Sequence, residues 1–124
     1  MKKILFTSSV WKNDMEEVLR KALAAAIKKY GDGITVIVGY TAPHVKIAQI
    51  ARSMGMRVHA FAPHIDRIPV EHLLVVDGMG ITNLGEVDYM KHIATIVDGA
   101  VALDDKDPLV FHVASSGKKV WYPR

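Results

Sequence analysis

The segment I34-T-V-I-V-G-Y-T-A-P-H-V-K-I-A-Q-I-A51 sets the reading of the chain. Ile34 to Val38 is an unbroken β-branched apolar run, the composition of a strand buried on both faces. Gly39-Tyr40-Thr41-Ala42-Pro43 then forms a turn. Thr41 is suited to cap a helix and Pro43 to sit in its first turn. Ile47, Ile50, Ala51 and Met54 recur at helical spacing, and Gly55 stops the helix. A strand running through a short turn into a helix places the first helical amides beside the carboxyl edge of a sheet. That edge is where open α/β proteins hold their ligands.

The same alternation extends in both directions. Upstream, Lys2 to Val10 reads as a first, central strand. A helix follows, capped by Asn13 or Asp14, with Glu16 and Glu17 in its first turn and Val18, Leu19, Leu23, Ala26 and Ile27 as its buried stripe. Gly31-Asp32-Gly33 ends it. Downstream, Arg57 to Ala62 reads as a third strand, His64 to Val70 as a loop and Leu73 to Val76 as a fourth strand. A helix is then expected from Thr82 or Asn83 through Met90, Ile93 and Ile96. Asp98 to Leu103 is a fifth strand, Pro108 to Ser115 a short helix and Lys119 to Tyr122 a last strand. Strands alternating with helices imply parallel pairing through right-handed crossovers. The expectation is an α/β fold: one Rossmann-like domain over residues 1–124, a three-layer sandwich on a mostly parallel sheet of five to six strands.

Composition narrows the function classes. Half of the 124 residues are hydrophobic and 23% are charged, which suits a packed core. The apolar runs fall far short of the ~18–20 residues of a membrane span. The start MKKILFTSSV has an apolar part of only Ile4 to Phe6 and no small-residue cleavage site, so it reads as a strand and not a leader. With no cysteine, disulfides and thiolate metal sites are excluded, and a cytoplasmic location is expected. The net charge of +3 is uneven, with eleven Lys/Arg against five Asp/Glu up to Arg67 and five against eight beyond it. Because Lys21, Lys28 and Lys29 share a helix with Glu16 and Glu17, the basic half reads as a solvated face. Nucleic acid is not expected as a partner.

Several groups could carry chemistry. Thr7, Ser8 and Ser9 end the first strand, where their hydroxyls could bond a ribose or phosphate, or else cap the next turn. Gly39, Tyr40, Thr41 and His44 line the opening turn and helix start; His44 there could reach a bound anion. Gly78-Met79-Gly80-Ile81-Thr82, with Glu86 beyond, has the look of a glycine-rich nucleotide loop followed by an acid, or of a turn and a cap. Asp104, Asp105 and Asp107 could bind a ribose hydroxyl or magnesium, although a loop acid capping the helix at Pro108 is the favoured reading. Six histidines include no H-x-H or H-x-x-x-H pair, so no metal site is expected, nor any cofactor. Trp121 and Tyr122 near the end are apolar and suit an oligomer contact.

The turn at Gly39, the small Ala48, the A51-R-S-M-G-M-R-V58 passage, I96-V-D-G-A-V-A-L-D-D105 and S115-S-G-K-K-V-W-Y-P123 together resemble the SLOG superfamily. These are Rossmann-like domains that include the Lonely Guy phosphoribohydrolases and the Smf/DprA proteins. Gly39 matches the first glycine of the family's GGARGAD turn. Tyr40 stands at its second glycine, Ala42 at its arginine and Val45 at its aspartate. Tyr89 and Met90 fall on the family's arginine-asparagine pair. The PGG-x-GT-x-x-E loop with its catalytic glutamate would lie at Asp104 to Pro108 and is missing. The resemblance therefore implies a fold that holds a nucleotide or nucleotide derivative without chemistry, as a homo-oligomer. The alternatives are hydrolysis or transfer at a nucleoside N-glycosidic bond, with Glu86 or Asp104 as nucleophile or acid/base, and an oligomeric scaffold.

Overall fold

A computed structural model of the chain describes residues 2–123. Its elements are β1 (Lys2–Thr7), α1 (Met15–Tyr30), β2 (Ile34–Val38), α2 (Ala42–Ser53), β3 (Arg57–Ala62), α3 (Val70–Leu73), β4 (Gly78–Ile81), α4 (Glu86–Ile96), β5 (Gly99–Ala102), α5 (Pro108–Ser115) and β6 (Lys119–Trp121). The six strands form one sheet in the order β4-β3-β2-β1-β5-β6, and every pairing is parallel. The α/β, Rossmann-like expectation is met.

The strand side chains alternate between two cores. Ile4, Phe6, Val36 and Val38 pack with Leu19 and Leu23 of α1 and Ile47 and Ala51 of α2. On the opposite face, Leu5, Ile37 and Ala100 meet Tyr89 and Ile93 of α4 and Leu109 and Val113 of α5. Helices thus cover both faces, which is why the central strands read as continuous apolar runs. No helix among the described residues is long and apolar enough to cross a membrane.

The largest departure from expectation lies around the fourth strand. Leu73 closes the short helix α3 and Leu74 lies in the turn after it, 57% and 83% exposed. The strand is instead Gly78–Ile81, paired with His59 to Ala62 of β3. A four-residue apolar run cannot by itself be told from a helical turn, and here Pro69 opens a helix. What sets the register is Asp77. Its Oδ2 accepts the Val58 N–H at 2.7 Å while its own N–H donates to the Val58 carbonyl at 2.7 Å. Asp98 does the same to Lys3 at the entry to β5, through Lys3 N–H to Oδ2 at 2.9 Å and Asp98 N–H to the Lys3 carbonyl at 2.7 Å. Each Asp-Gly step is thus an anchor that starts a strand.

The start of α4 also differs. Thr82 and Asn83 continue the course of β4, donating to the Ala62 and Pro63 carbonyls, and Asn83 adopts a left-handed φ of 57°. The helix begins only at Glu86, with Gly85 at the N-cap. β1 ends at Thr7, short of Val10, and residues 65–67 form a 3-10 turn within the expected loop. Asp14 and Thr41 occupy the N-caps of α1 and α2, but neither side chain makes a capping bond.

Candidate functional site

The strand order places the carboxyl end of β1 at the point where the chain turns toward β2 on one side and β5 on the other. A cleft of about 180 Å³ opens there. Ser8 and Ser9 reach it from the end of β1, Gly39 to Thr41 and His44 from the β2–α2 junction, Glu86 from the start of α4, and Asp107 from the start of α5. Crevices at such switch points are the usual ligand positions of open α/β sheets.

The floor of the cleft is a buried hydrogen-bonded chain. The Gly39 N–H donates to His44 Nδ1 at 2.6 Å. A neutral imidazole that accepts at Nδ1 carries its proton on Nε2, so Nε2–H donates to Thr7 Oγ1, 3.0 Å away. The Thr7 hydroxyl in turn donates to Asp107 Oδ2, and Asp107 Oδ1 accepts the Leu109 N–H at 3.0 Å, capping α5. Thr7, His44 and Asp107 are all buried. Burial, followed by the nearby His72, pushes the His44 pKa down to about 3. Burial raises that of Asp107, against the lowering effect of the Thr7 and Leu109 bonds. Every donor in this chain has one acceptor, and the imidazole stays uncharged.

A second histidine completes the frame. His72 Nε2 lies 2.7 Å from the Gly39 carbonyl, so both polar groups of Gly39 are held by imidazoles. His72 is buried, and its Nδ1 has no hydrogen-bonding partner among the described residues. Burial lowers its pKa, opposed by the bond to the Gly39 carbonyl. Packed against Gly39 from above, the Tyr89 hydroxyl donates to the Phe61 carbonyl at 2.8 Å, and burial raises its pKa.

The rim is more open. The Tyr40 hydroxyl donates to Glu86 Oε1 at 2.8 Å, and its ring meets that of Tyr89 edge-on, with centroids 5.6 Å apart. Its pKa is raised by burial and by Glu86, while the approach of Arg67 works the other way. Ser9 donates its hydroxyl to Asp104 Oδ2 and its N–H to Asp104 Oδ1 at 3.1 Å. Ser8 caps its own turn instead, its Oγ taking the Val10 N–H at 3.2 Å and donating to the Val10 carbonyl.

Of the residues singled out from the sequence, Ser8, Ser9, Gly39, Tyr40, Thr41, His44 and Glu86 line this cleft, with Thr7 beneath it and Asp104 tied to Ser9. Gly78, Gly80 and Thr82 are elsewhere. The two glycines lie within β4, at the sheet edge three strands from β1, where the missing side chain of Gly80 makes room for the Phe61 ring. The glycine-rich segment is thus strand and not loop. Tyr89, Met90 and Leu109 also line the cleft, and sequence reasoning did not assign them to it. His72 likewise gave no signal, since its bond to Gly39 spans 33 residues. No group of three or more His, Asp or Glu suited to hold a metal occurs among the described residues.

Sheet order, layering and the strand-end cleft define the class as a Rossmann-like α/β protein. Among solved structures the chain is similar to TM1055, a structural genomics target, with a TM-score of 0.70 and 16% identity over 97% of this chain and 72% of that one. It is also similar to the molybdenum cofactor carrier protein of Chlamydomonas reinhardtii. Two structures of that carrier give TM-scores of 0.66 and 0.63 at 17% identity, covering 96% of this chain and 74% and 73% of theirs. At such identities the likeness is one of fold. No protein-family model and no curated protein sequence matches the chain.

Proposed function

We propose that this chain is a binding protein of the SLOG type, holding a nucleotide or nucleotide derivative in the cleft at the end of β1 without converting it. The observation that carries this reading is the convergence of Ser9, Tyr40, Thr41 and Glu86 on one cleft at the switch point, above a floor whose polar groups are already paired. The rim offers an aromatic ring against which a base can stack and a carboxylate that can accept ribose hydroxyls. His44, buried and held neutral with both ring nitrogens already bonded, serves as scaffold in the cleft wall. One fold neighbour is named as a cofactor carrier, a use of this fold that consists of holding a small molecule.

Thermal unfolding in the presence of nucleosides, nucleotides, NAD and ADP-ribose at millimolar concentration tests the reading. A rise in Tm with one of these compounds, recovered unchanged by chromatography, is the expected result. No shift with any of them sinks the proposal, and release of free base would replace it by the N-glycosidic alternative.

A further inference from the structure

We infer that the cleft takes the unphosphorylated nucleoside in preference to the nucleotide. This rests on the binding reading above and names the class of ligand within it. Three helices begin at the cleft, and an anion would ordinarily be drawn to such N-termini. Each is weakened as an anion site. In α5, Asp107 caps the Leu109 N–H, and Pro108 has no N–H to offer. In α4, Glu86 and Asp88 occupy the first turn. In α2, Pro43 removes a donor from the first turn. The Ser9 amide, which could also face an anion, is bound to Asp104.

The charges of the lining point the same way. Among the described residues it contains the carboxylates of Glu86 and Asp107 and no lysine or arginine. Arg67 approaches the Tyr40 hydroxyl but does not line the cleft. A phosphate dianion placed here meets like charge in a partly desolvated crevice, where repulsion is stronger than in water. A ribose diol or an exocyclic amine meets acceptors instead.

Isothermal titration of the full chain with adenosine and AMP, and with guanosine and GMP, at low and high salt, decides the matter. The expected result is a nucleoside bound at least about tenfold tighter than its 5′-monophosphate. The gap should narrow at high salt, which screens charge, and in Glu86→Gln, whose side chain is exposed and whose loss leaves the core intact. A monophosphate bound as tightly as its nucleoside, or tighter, overturns the inference and leaves the binding reading standing. A gap indifferent to both salt and Glu86→Gln overturns its electrostatic basis. Failure of both forms to bind overturns the inference, and it removes the binding reading as well only where no compound of the thermal screen shifts Tm.

Discussion

His44 accepts the Gly39 N–H on Nδ1 at 2.6 Å, and this single bond fixes the tautomer of a fully buried imidazole. A protonated ring would carry a hydrogen on Nδ1 facing that N–H, two donors opposed with no acceptor between them. Burial, followed by the nearby His72, depresses the pKa to about 3, and this opposition of donors works in the same direction.

A pH dependence of stability follows. In the unfolded chain His44 takes up a proton near its ordinary value of 6.5, while the folded chain refuses it until about pH 3. Between these limits the unfolded state binds more protons, so stability is greatest above pH 6.5 and falls as the pH drops. Each such histidine contributes a slope of at most about 1.4 kcal/mol per pH unit, and His72 is shifted in the same direction. Urea unfolding measured across this window checks the sign. His44→Asn, which keeps an acceptor for the Gly39 N–H but cannot titrate there, should be less stable at neutral pH and lose stability less steeply on acidification. An unchanged slope in that variant would assign the effect to other groups.

Periodicity made the layers legible because β1 and β2 each carry a buried, mostly apolar run and each long helix has one apolar stripe. Both patterns are local, and they placed β2, β3, α2 and α5 closely. The position of β4 is not legible because two of its four residues are glycines and its anchor, Asp77, acts on Val58, 19 positions away in sequence. The two Asp-Gly steps give a retrospective signal, since Asp98-Gly99 introduces β5 by the same pair of bonds. The cleft was legible as far as the strand ends could be located. Its floor was not, because Thr7 lies 37 residues from His44 and 100 from Asp107, and only the assembled sheet brings them together.

Gly39→Ala tests how tightly the cleft is closed around the β2–α2 turn. Gly39 has no positive φ, so its backbone is open to any residue. The cost is steric: an added Cβ would lie 2.8 Å from the Tyr89 hydroxyl and 3.3 Å from His44 Nδ1. The Tyr89 hydroxyl is fixed to the Phe61 carbonyl and its ring lies in the core, so neither neighbour can withdraw cheaply. Overpacking of this kind costs about 1–3 kcal/mol, and binding should weaken because Tyr89 lines the cleft. Gly33→Ala is the control, since a Cβ there meets nothing within 4 Å; its stability should change by less than about 0.5 kcal/mol. Equal effects at the two positions would show that the turn is looser than the contacts imply.

Thr7 and Asp107 should behave as one energetic unit. Thr7→Val preserves shape but leaves the His44 Nε2–H without an acceptor and Asp107 Oδ2 without its donor. Asp107→Asn keeps an oxygen for the Leu109 N–H and so preserves the cap of α5, while removing the carboxylate oxygen that the Thr7 hydroxyl serves. Each change alone orphans a buried polar group and should cost about 1–3 kcal/mol. Once Thr7 is gone, the Asn substitution has no bond left to break, so the double variant should be more stable than the sum of the singles by about 1 kcal/mol. A double-mutant cycle by urea unfolding at neutral pH measures this directly. Costs that add to within about 0.3–0.5 kcal/mol would mean the Thr7–Asp107 bond contributes nothing as a pair, leaving Asp107 only its role as the cap of α5.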